Sequence, residues 1–138
     1  MSVLFAYGTL MCEDIFQEVA GIIRQPLPAE LVGYRRLKVS GEHYPAMIPT
    51  EGCCVQGAIY KEVTHSAWNK LDAFEGEFYI RKTVTVTLNN GQTRVAQAYI
   101  VHPDFQHQLL KEEWDFSEFL KKQKADFRQR YQGYLKTR

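Results

Sequence analysis

Hydrophobic positions along this chain alternate between two rhythms, and each rhythm predicts an element. Val3-Leu4-Phe5-Ala6-Tyr7 is a continuous apolar run of strand length, which predicts a short strand from Val3 to Tyr7 buried on both faces. Gly8-Thr9 turns the chain, and Met11 to Ala20 follows with Ile15, Phe16 and Val19 at helical spacing and Gly21 as the stop. Gln25-Pro26-Leu27-Pro28 predicts a loop. Glu30 to Ser40 predicts a strand broken at Gly33, Gly41 to Tyr44 a turn, and Pro45 to Pro49 a short extended piece. Cys53 to Glu62 predicts another strand, with Gly57 marking a bend or a close backbone approach. Thr64 is placed to cap a helix through Phe74, with Ala67, Trp68, Leu71 and Phe74 on one side.

Downstream the period returns to two. Val84, Val86 and Leu88 alternate with Thr83, Thr85 and Thr87 in a strand from Phe78 to Leu88. Asn89-Asn90-Gly91 is a hairpin signal, and Thr93 to His102 is the return strand, with Val95, Gln97, Tyr99 and Val101 on one face. Asp115 is placed to cap a last helix with Phe116, Phe119, Leu120, Gln123, Phe127 and Tyr131 in one stripe. Five or six glycine-bent strands with two or three helices predict an α+β domain around a small curved or closed sheet.

Composition narrows the classes. At 138 residues and 45% hydrophobic the chain reads as one domain, 1–138, with enough apolar surface for a packed core. A net charge of +1 supplies no general field for nucleic acid. No apolar run is long enough for a membrane span, and the run at Val3 lacks the basic flank and length of a signal peptide. The cysteines Cys12, Cys53 and Cys54 are odd in number, which argues against a disulfide framework. They read as reduced, small core residues of a cytoplasmic protein. No C-x-x-C is present and the histidines His43, His65, His102 and His107 are scattered, which argues against a zinc site. The basic amphipathic end of the chain fits a helix packed on the domain with its charges in solvent; a surface for membrane or nucleic acid is the competing reading.

Two segments carry candidate chemistry. Tyr7-Gly8-Thr9-Leu10 ends a strand and opens a helix, which leaves backbone N–H groups to hold a carboxylate; an ordinary strand-to-helix turn has the same sequence. Glu75 falls in the last turn of its helix before Gly76, at the negative end of the dipole and between Phe74 and Phe78. All of these favour a raised pKa suited to a general base. Glu75 and Glu77 also fit two solvated loop acids. Tyr44, Tyr79, Tyr99 and Arg81 are further pocket candidates, with core or rim positions as the alternative.

An ordered set of short segments, roughly Val3 to His102, resembles the gamma-glutamylcyclotransferase-like superfamily, in its short branch of gamma-glutamylamine cyclotransferases and avirulence-induced plant proteins. The set is Phe5-Ala6-Tyr7-Gly8-Thr9-Leu10, Gly33-Tyr34-Arg35-Arg36, Tyr44-Pro45-Ala46, Val55-Gln56-Gly57 with Ile59-Tyr60, Leu71-Asp72-Ala73-Phe74-Glu75-Gly76 and Tyr79-Ile80-Arg81-Lys82. Glu113-Trp114-Asp115-Phe116 and the basic helix after it resemble plant and bacterial members. The resemblance implies a small mixed β-barrel over about 1–104, flanked by helices, and a C-terminal helical extension over about 112–134. It implies that Tyr7 to Leu10 binds substrate, that Glu75 is the acid/base, and that Tyr99 lines the pocket. It further implies metal-free, cofactor-free release of 5-oxoproline from a gamma-glutamyl amine, amino acid or peptide. A non-catalytic module that binds a small acid on the same fold is the alternative, and the oligomeric state stays open.

Overall fold

A computed structural model describes residues 2–130. The first strand, β1 (Ser2–Ala6), explains why its sequence is apolar throughout. Val3, Phe5 and Tyr7 point into one apolar cluster with Leu31, Met47, Val55, Ile59, Val84, Val86 and Ile100. Leu4 and Ala6 point into another, made with Ile15, Phe16, Tyr60, Trp68 and Leu71. The first cluster fills the inside of a barrel; the second lies between the barrel wall and the helices.

The barrel is built from β1, β2 (Leu27–Val39), β3 (Pro45–Val63), β4 (Tyr79–Leu88) and β5 (Thr93–Val101). The order is β3–β1–β5–β4–β2, and β2 pairs back onto β3 to close the ring. β1 runs parallel to β5, with Leu4 opposite Gln97, and the other pairs are antiparallel. A sixth strand, β6 (Leu109–Glu113), adds to the far half of β2 outside the ring. The fold is therefore the α+β class, a closed mixed barrel with flanking helices. Gly57 is obligatory where β1 and β3 cross, because a Cβ there would run into the Ala6 carbonyl oxygen and the Phe5 ring.

Several boundaries depart from the sequence reading. The helix expected from Met11 starts later: a one-turn 3-10 helix (Thr9–Met11) comes first, and α1 (Glu13–Ala20) follows, with Cys12 at its N-terminal boundary making no side-chain cap bond. Leu27 and Pro28 lie in β2 rather than a loop, since only a short part of β4 flanks that end and Pro28 sits opposite Ala58 on the β3 side. The two pieces expected at Pro45–Pro49 and Cys53–Glu62 are one strand, kinked where four residues of β3 lie between the partners of Val32 and Tyr34. The cysteines are not all core: Cys12 is buried, but Cys53 and Cys54 lie at that kink, half-buried and exposed, and all three are free thiols.

α2 (His65–Glu75) forms as its pattern demands. The Thr64 hydroxyl accepts from the Ala67 N–H, and Ala67, Trp68 and Leu71 are buried. It ends at Glu75 because Gly76 takes φ +69°, a conformation that costs a side chain dearly. The C-terminal helical segment begins at Phe116, later than the boundary near 112, because residues 109–113 are strand. It runs as α3 (Phe116–Glu118), a π-helical stretch (Phe119–Gln123) and α4 (Lys124–Arg130). The π turn inserts extra residues into the helical repeat. Phe119 and Phe127 are buried while Leu120 is 44% exposed. Tyr131 lies outside the described residues. Lys124 and Arg128 pair with Asp14, and Arg128 also with Glu18, tying this segment to α1. No helix among the described residues is long and apolar enough to cross a membrane.

Candidate active site

The loop after β1 is held from several sides before any ligand is considered. The Tyr7 phenol, inside the barrel mouth, donates to the Tyr99 backbone carbonyl. The Tyr7 carbonyl accepts from the Arg36 guanidinium at 2.8 Å, and the same Nη1 reaches the Gln56 carbonyl at 3.0 Å. The Tyr60 hydroxyl donates to the Leu10 carbonyl at 2.7 Å, with its ring stacked on Phe16 at 3.8 Å. Tyr79 donates to the Pro45 carbonyl at 2.7 Å. The Pro45 ring then stands so close to Gly8 that a Cβ there would lie 2.7 Å from it. Gly8 is thus required by packing as well as by any approach of a ligand. Within the one-turn helix that follows, Met11 is the first residue whose N–H returns to this stretch, donating to the Gly8 carbonyl at 3.0 Å. The first N–H groups of such a turn have no partner inside it and are available to an anion.

Glu75 arrives at this loop from the other side, carried by the last turn of α2. A narrow pocket is lined by Tyr7, Gly8, Thr9, Leu10, Pro45, Glu75, Tyr79 and Tyr99 together with the β1 wall. The Glu75 carboxyl pKa is pushed up from 4.5 to about 8, first by burial and then by the charge of Asp72 one turn earlier on α2. Burial also raises the Tyr7 and Tyr99 phenols, so both are neutral hydrogen-bonding groups at neutral pH. Beyond Glu75 the pocket opens into a cavity of about 410 Å³, lined by Glu42, Tyr44, Phe74, Glu77, Phe78, Gln108 and Phe127, with Thr9, Glu75 and Tyr79 shared between the two spaces.

The residues singled out in the sequence therefore fall in three places. Tyr7, Gly8, Thr9, Leu10, Glu75, Tyr79 and Tyr99 line the inner pocket. Tyr44 lines the outer cavity only. Arg81 lines neither described space; its guanidinium sits 3.5 Å from the Asp72 carboxylate and 4.4 Å from the centre of the Trp68 ring. Asp72 was not singled out, although its i, i+3 spacing from Glu75 places both carboxylates on one helix face. Its carboxylate accepts from the Tyr99 hydroxyl at 2.6 Å. Tyr60 and Arg36, which hold the loop, were also missed as site residues, since their partners are backbone carbonyls remote in sequence. Among the described residues, no group of three or more His, Cys, Asp or Glu is placed to hold a metal ion.

Chemically, the arrangement offers donors for a small anion, one desolvated carboxylate beside them, and a separate space for whatever that anion is attached to. Known proteins resemble this chain in sequence and in fold. Residues 4–116 match the family described as gamma-glutamyl cyclotransferase, AIG2-like. AIG2-like protein C of Arabidopsis thaliana is 30% identical over 135 residues, covering 98% of this chain and 78% of the relative. A solution structure of an Arabidopsis thaliana protein superposes with a TM-score of 0.70 at 27% identity, covering 93% of this chain and 86% of the other. A gamma-glutamyl cyclotransferase structure gives a TM-score of 0.66 at 17% identity over 73% of this chain and 66% of its own, a likeness of fold.

Proposed function

The chain belongs to the gamma-glutamyl cyclotransferase, AIG2-like family, and we propose that it releases 5-oxoproline from a small γ-glutamyl compound by general acid/base catalysis at Glu75. One observation carries the reading: a carboxyl whose pKa is raised to about 8 shares a pocket with the Tyr7–Leu10 loop and stands at the mouth of a second cavity. In this reading the substrate α-carboxylate lies against the N–H groups of the loop at Gly8, Thr9 and Leu10, and its α-ammonium faces Glu75. The Tyr99 proton is committed to Asp72, so to a ligand its hydroxyl offers a lone pair, which suits the same ammonium.

The chemistry needs no protein nucleophile. Glu75 accepts a proton from the α-ammonium, and the freed amine attacks the γ-carbonyl carbon. The five-membered ring closes as the C–N bond to the leaving group breaks. Glu75 returns its proton to the departing nitrogen, and the second proton shed by the ring nitrogen ends on the released amine. Holding the γ-glutamyl chain in a folded conformer supplies much of the acceleration, up to about 7–11 kcal/mol in ideal intramolecular cases.

The outer cavity is where a leaving group fits. Its lining joins Glu42 and Glu77 to Tyr44, Phe74, Phe78 and Phe127. That suits an amine on an apolar stem that ends in a cation, such as the ε-linked lysine of γ-glutamyl-lysine, over a leaving group bearing carboxylates. The test is 5-oxoproline release from a γ-glutamyl amino acid, γ-glutamyl-ε-lysine and glutathione, with Glu75→Gln as control. Turnover lost in Glu75→Gln supports the assignment; wild-type turnover in that variant removes Glu75 from the mechanism. Binding of 5-oxoproline with no turnover of any of the three compounds favours a non-catalytic module that binds a small acid.

A further inference from the structure

Behind the pocket wall lies a chain of polar contacts that the loop and Glu75 do not themselves require. Tyr99 lines the pocket, and its hydroxyl donates to Asp72 Oδ1 at 2.6 Å. The same Oδ1 lies 3.5 Å from Arg81 Nε. The Arg81 guanidinium lies over the Trp68 ring at 4.4 Å, and Trp68 in turn packs beside Tyr99 with ring centres 6.4 Å apart. Arg81 and Tyr99 are paired residues on β4 and β5, so both side chains project from the same face of the barrel wall. Asp72 and Glu75 sit three residues apart on α2, so one carboxylate is stacked one turn above the other.

We propose that Asp72 and Arg81 are a pair of positioning residues: Asp72 holds the Tyr99 hydroxyl and places a negative charge beside Glu75, and Arg81 sets how much of that charge Glu75 feels. The proposal deepens the acid/base reading of Glu75 and rests on it for its catalytic meaning, but not for its electrostatic content. A carboxylate near a base raises the base's proton affinity, and a guanidinium bound to that carboxylate withdraws part of the effect. Two charges roughly 6 Å apart, as neighbours on a helix face are, shift one another by about half a pH unit through a mostly aqueous path. Asp72 is 45% exposed and Arg81 34%, so water screens both, and with Glu75 itself desolvated this aqueous figure is a lower bound.

The other groups around Glu75 are accounted for. From the loop after β1 and from β5 it faces the neutral phenols of Tyr7 and Tyr99, and at the start of β4 the side chain of Tyr79. Arg36 of β2 is engaged with the carbonyls of Tyr7 and Gln56. Glu42 and Glu77 line the outer cavity that Glu75 also borders. Asp72 is the charge that acts on Glu75 most after burial itself. Arg81, held on Asp72, opposes that charge.

The experiment uses opposite substitutions on the full chain. Asp72→Asn keeps an oxygen for Tyr99 but removes the charge; Arg81→Gln removes the cation and leaves Asp72 unscreened. The Glu75 carboxyl is titrated by NMR in wild type and both variants, and the pH profile of 5-oxoproline release is recorded in parallel. Asp72→Asn is expected to move the Glu75 midpoint and the rising limb of kcat/KM down by at least about half a unit, and Arg81→Gln, which acts from beyond Asp72, to move both up by a smaller amount. A purely structural role would lower activity in both variants without opposite displacements. Unmoved midpoints, or displacement in the same direction, overturn the proposal. Failure of the catalytic reading is seen separately: Glu75→Gln would keep turnover while the NMR midpoints still report whether Asp72 and Arg81 act on Glu75.

Discussion

Replacing Glu75 by Gln should remove activity and, at the same time, stabilise the protein in a pH-dependent way. The sign follows from the raised pKa. An unfolded glutamate releases its proton near pH 4.5, whereas in the folded protein Glu75 keeps it to about pH 8. Between those values the native state binds more protons than the unfolded one, so stability falls as pH rises through the window and is flat above it. Below about pH 4.5 the group costs nothing, because both states are protonated. At about 1.4 kcal/mol per pH unit, the full gap sets a ceiling of about 5 kcal/mol above pH 8. Glu75 is a half-buried residue at a pocket mouth, so water screens part of this, and about 2–3 kcal/mol is the expected size. Glu75→Gln has nearly the same shape and no charge, so it escapes this cost. Urea unfolding of both proteins from about pH 5 to pH 9 measures it. The variant should exceed wild type by less than about 1 kcal/mol near pH 5 and by about 2–3 kcal/mol near pH 8.5. Its 5-oxoproline release should fall about 10²–10⁴-fold. A stability difference that stays constant across this range would show that the Glu75 carboxyl is not desolvated on folding, and the argument for its role as a base near neutrality would go with it.

Three other outcomes are expected. Tyr60→Phe, which frees the Leu10 carbonyl from its 2.7 Å bond, should cost about 1 kcal/mol of stability. It should also raise KM more than it lowers kcat, measured by steady-state kinetics; an unchanged KM would mean that the loop holds its shape without Tyr60. Glu77→Gln, on the exposed turn after α2, should leave kcat with a small γ-glutamyl amino acid within about twofold of wild type, and a dead variant would mean that Glu77, not Glu75, moves the proton. Phe127→Ala empties a fully buried position in contact with Phe74 and Phe119 and should cost about 3–5 kcal/mol by thermal or urea unfolding; a loss below about 1 kcal/mol would show that α4 contributes little to the domain.

Much of this fold could be read from periodicity because local pattern and tertiary demand agree. Val3 to Tyr7 is apolar at every position because both faces of β1 are covered. α2 carries its own start and stop in Thr64 and Gly76. Asn90-Gly91 closes the β4–β5 hairpin, with Gly91 at φ +85°. β6 was not legible: Leu109-Leu110-Lys111-Glu112-Glu113 is mostly exposed and charged, and it is a strand because the far half of β2 offers it an edge. In the candidate site, Glu75 announced itself by standing at the wrong end of a helix dipole. Burial and Asp72, however, are what raise its pKa in the structure. Arg81 looked like a pocket residue from its place on β4 beside Tyr79, but the pair register with Tyr99 turns it toward Asp72 and Trp68. The contacts of Tyr60 with Leu10 and of Arg36 with Tyr7 span 50 and 29 residues and end on backbone carbonyls, which have no signature in side-chain pattern.

The parallel pairing of β1 with β5 also sets an order of events during synthesis. β1 is made before the other strands of the barrel, yet its neighbours in the sheet are the end of β3 and the middle of β5, where Leu4 meets Gln97. Until β5 has been made, β1 has one edge unpaired, and a strand with an open apolar edge is a site for wrong pairing. Contacts of such long sequence separation also form slowly. The Tyr7 phenol, one residue past β1, and the Tyr99 carbonyl of β5 that receives it are 92 residues apart. The inner pocket, which Tyr99 lines, therefore lacks part of its wall until β5 has been made. A chain stalled short of β5 has helix α2 and its glutamate but only part of the pocket that Glu75 borders.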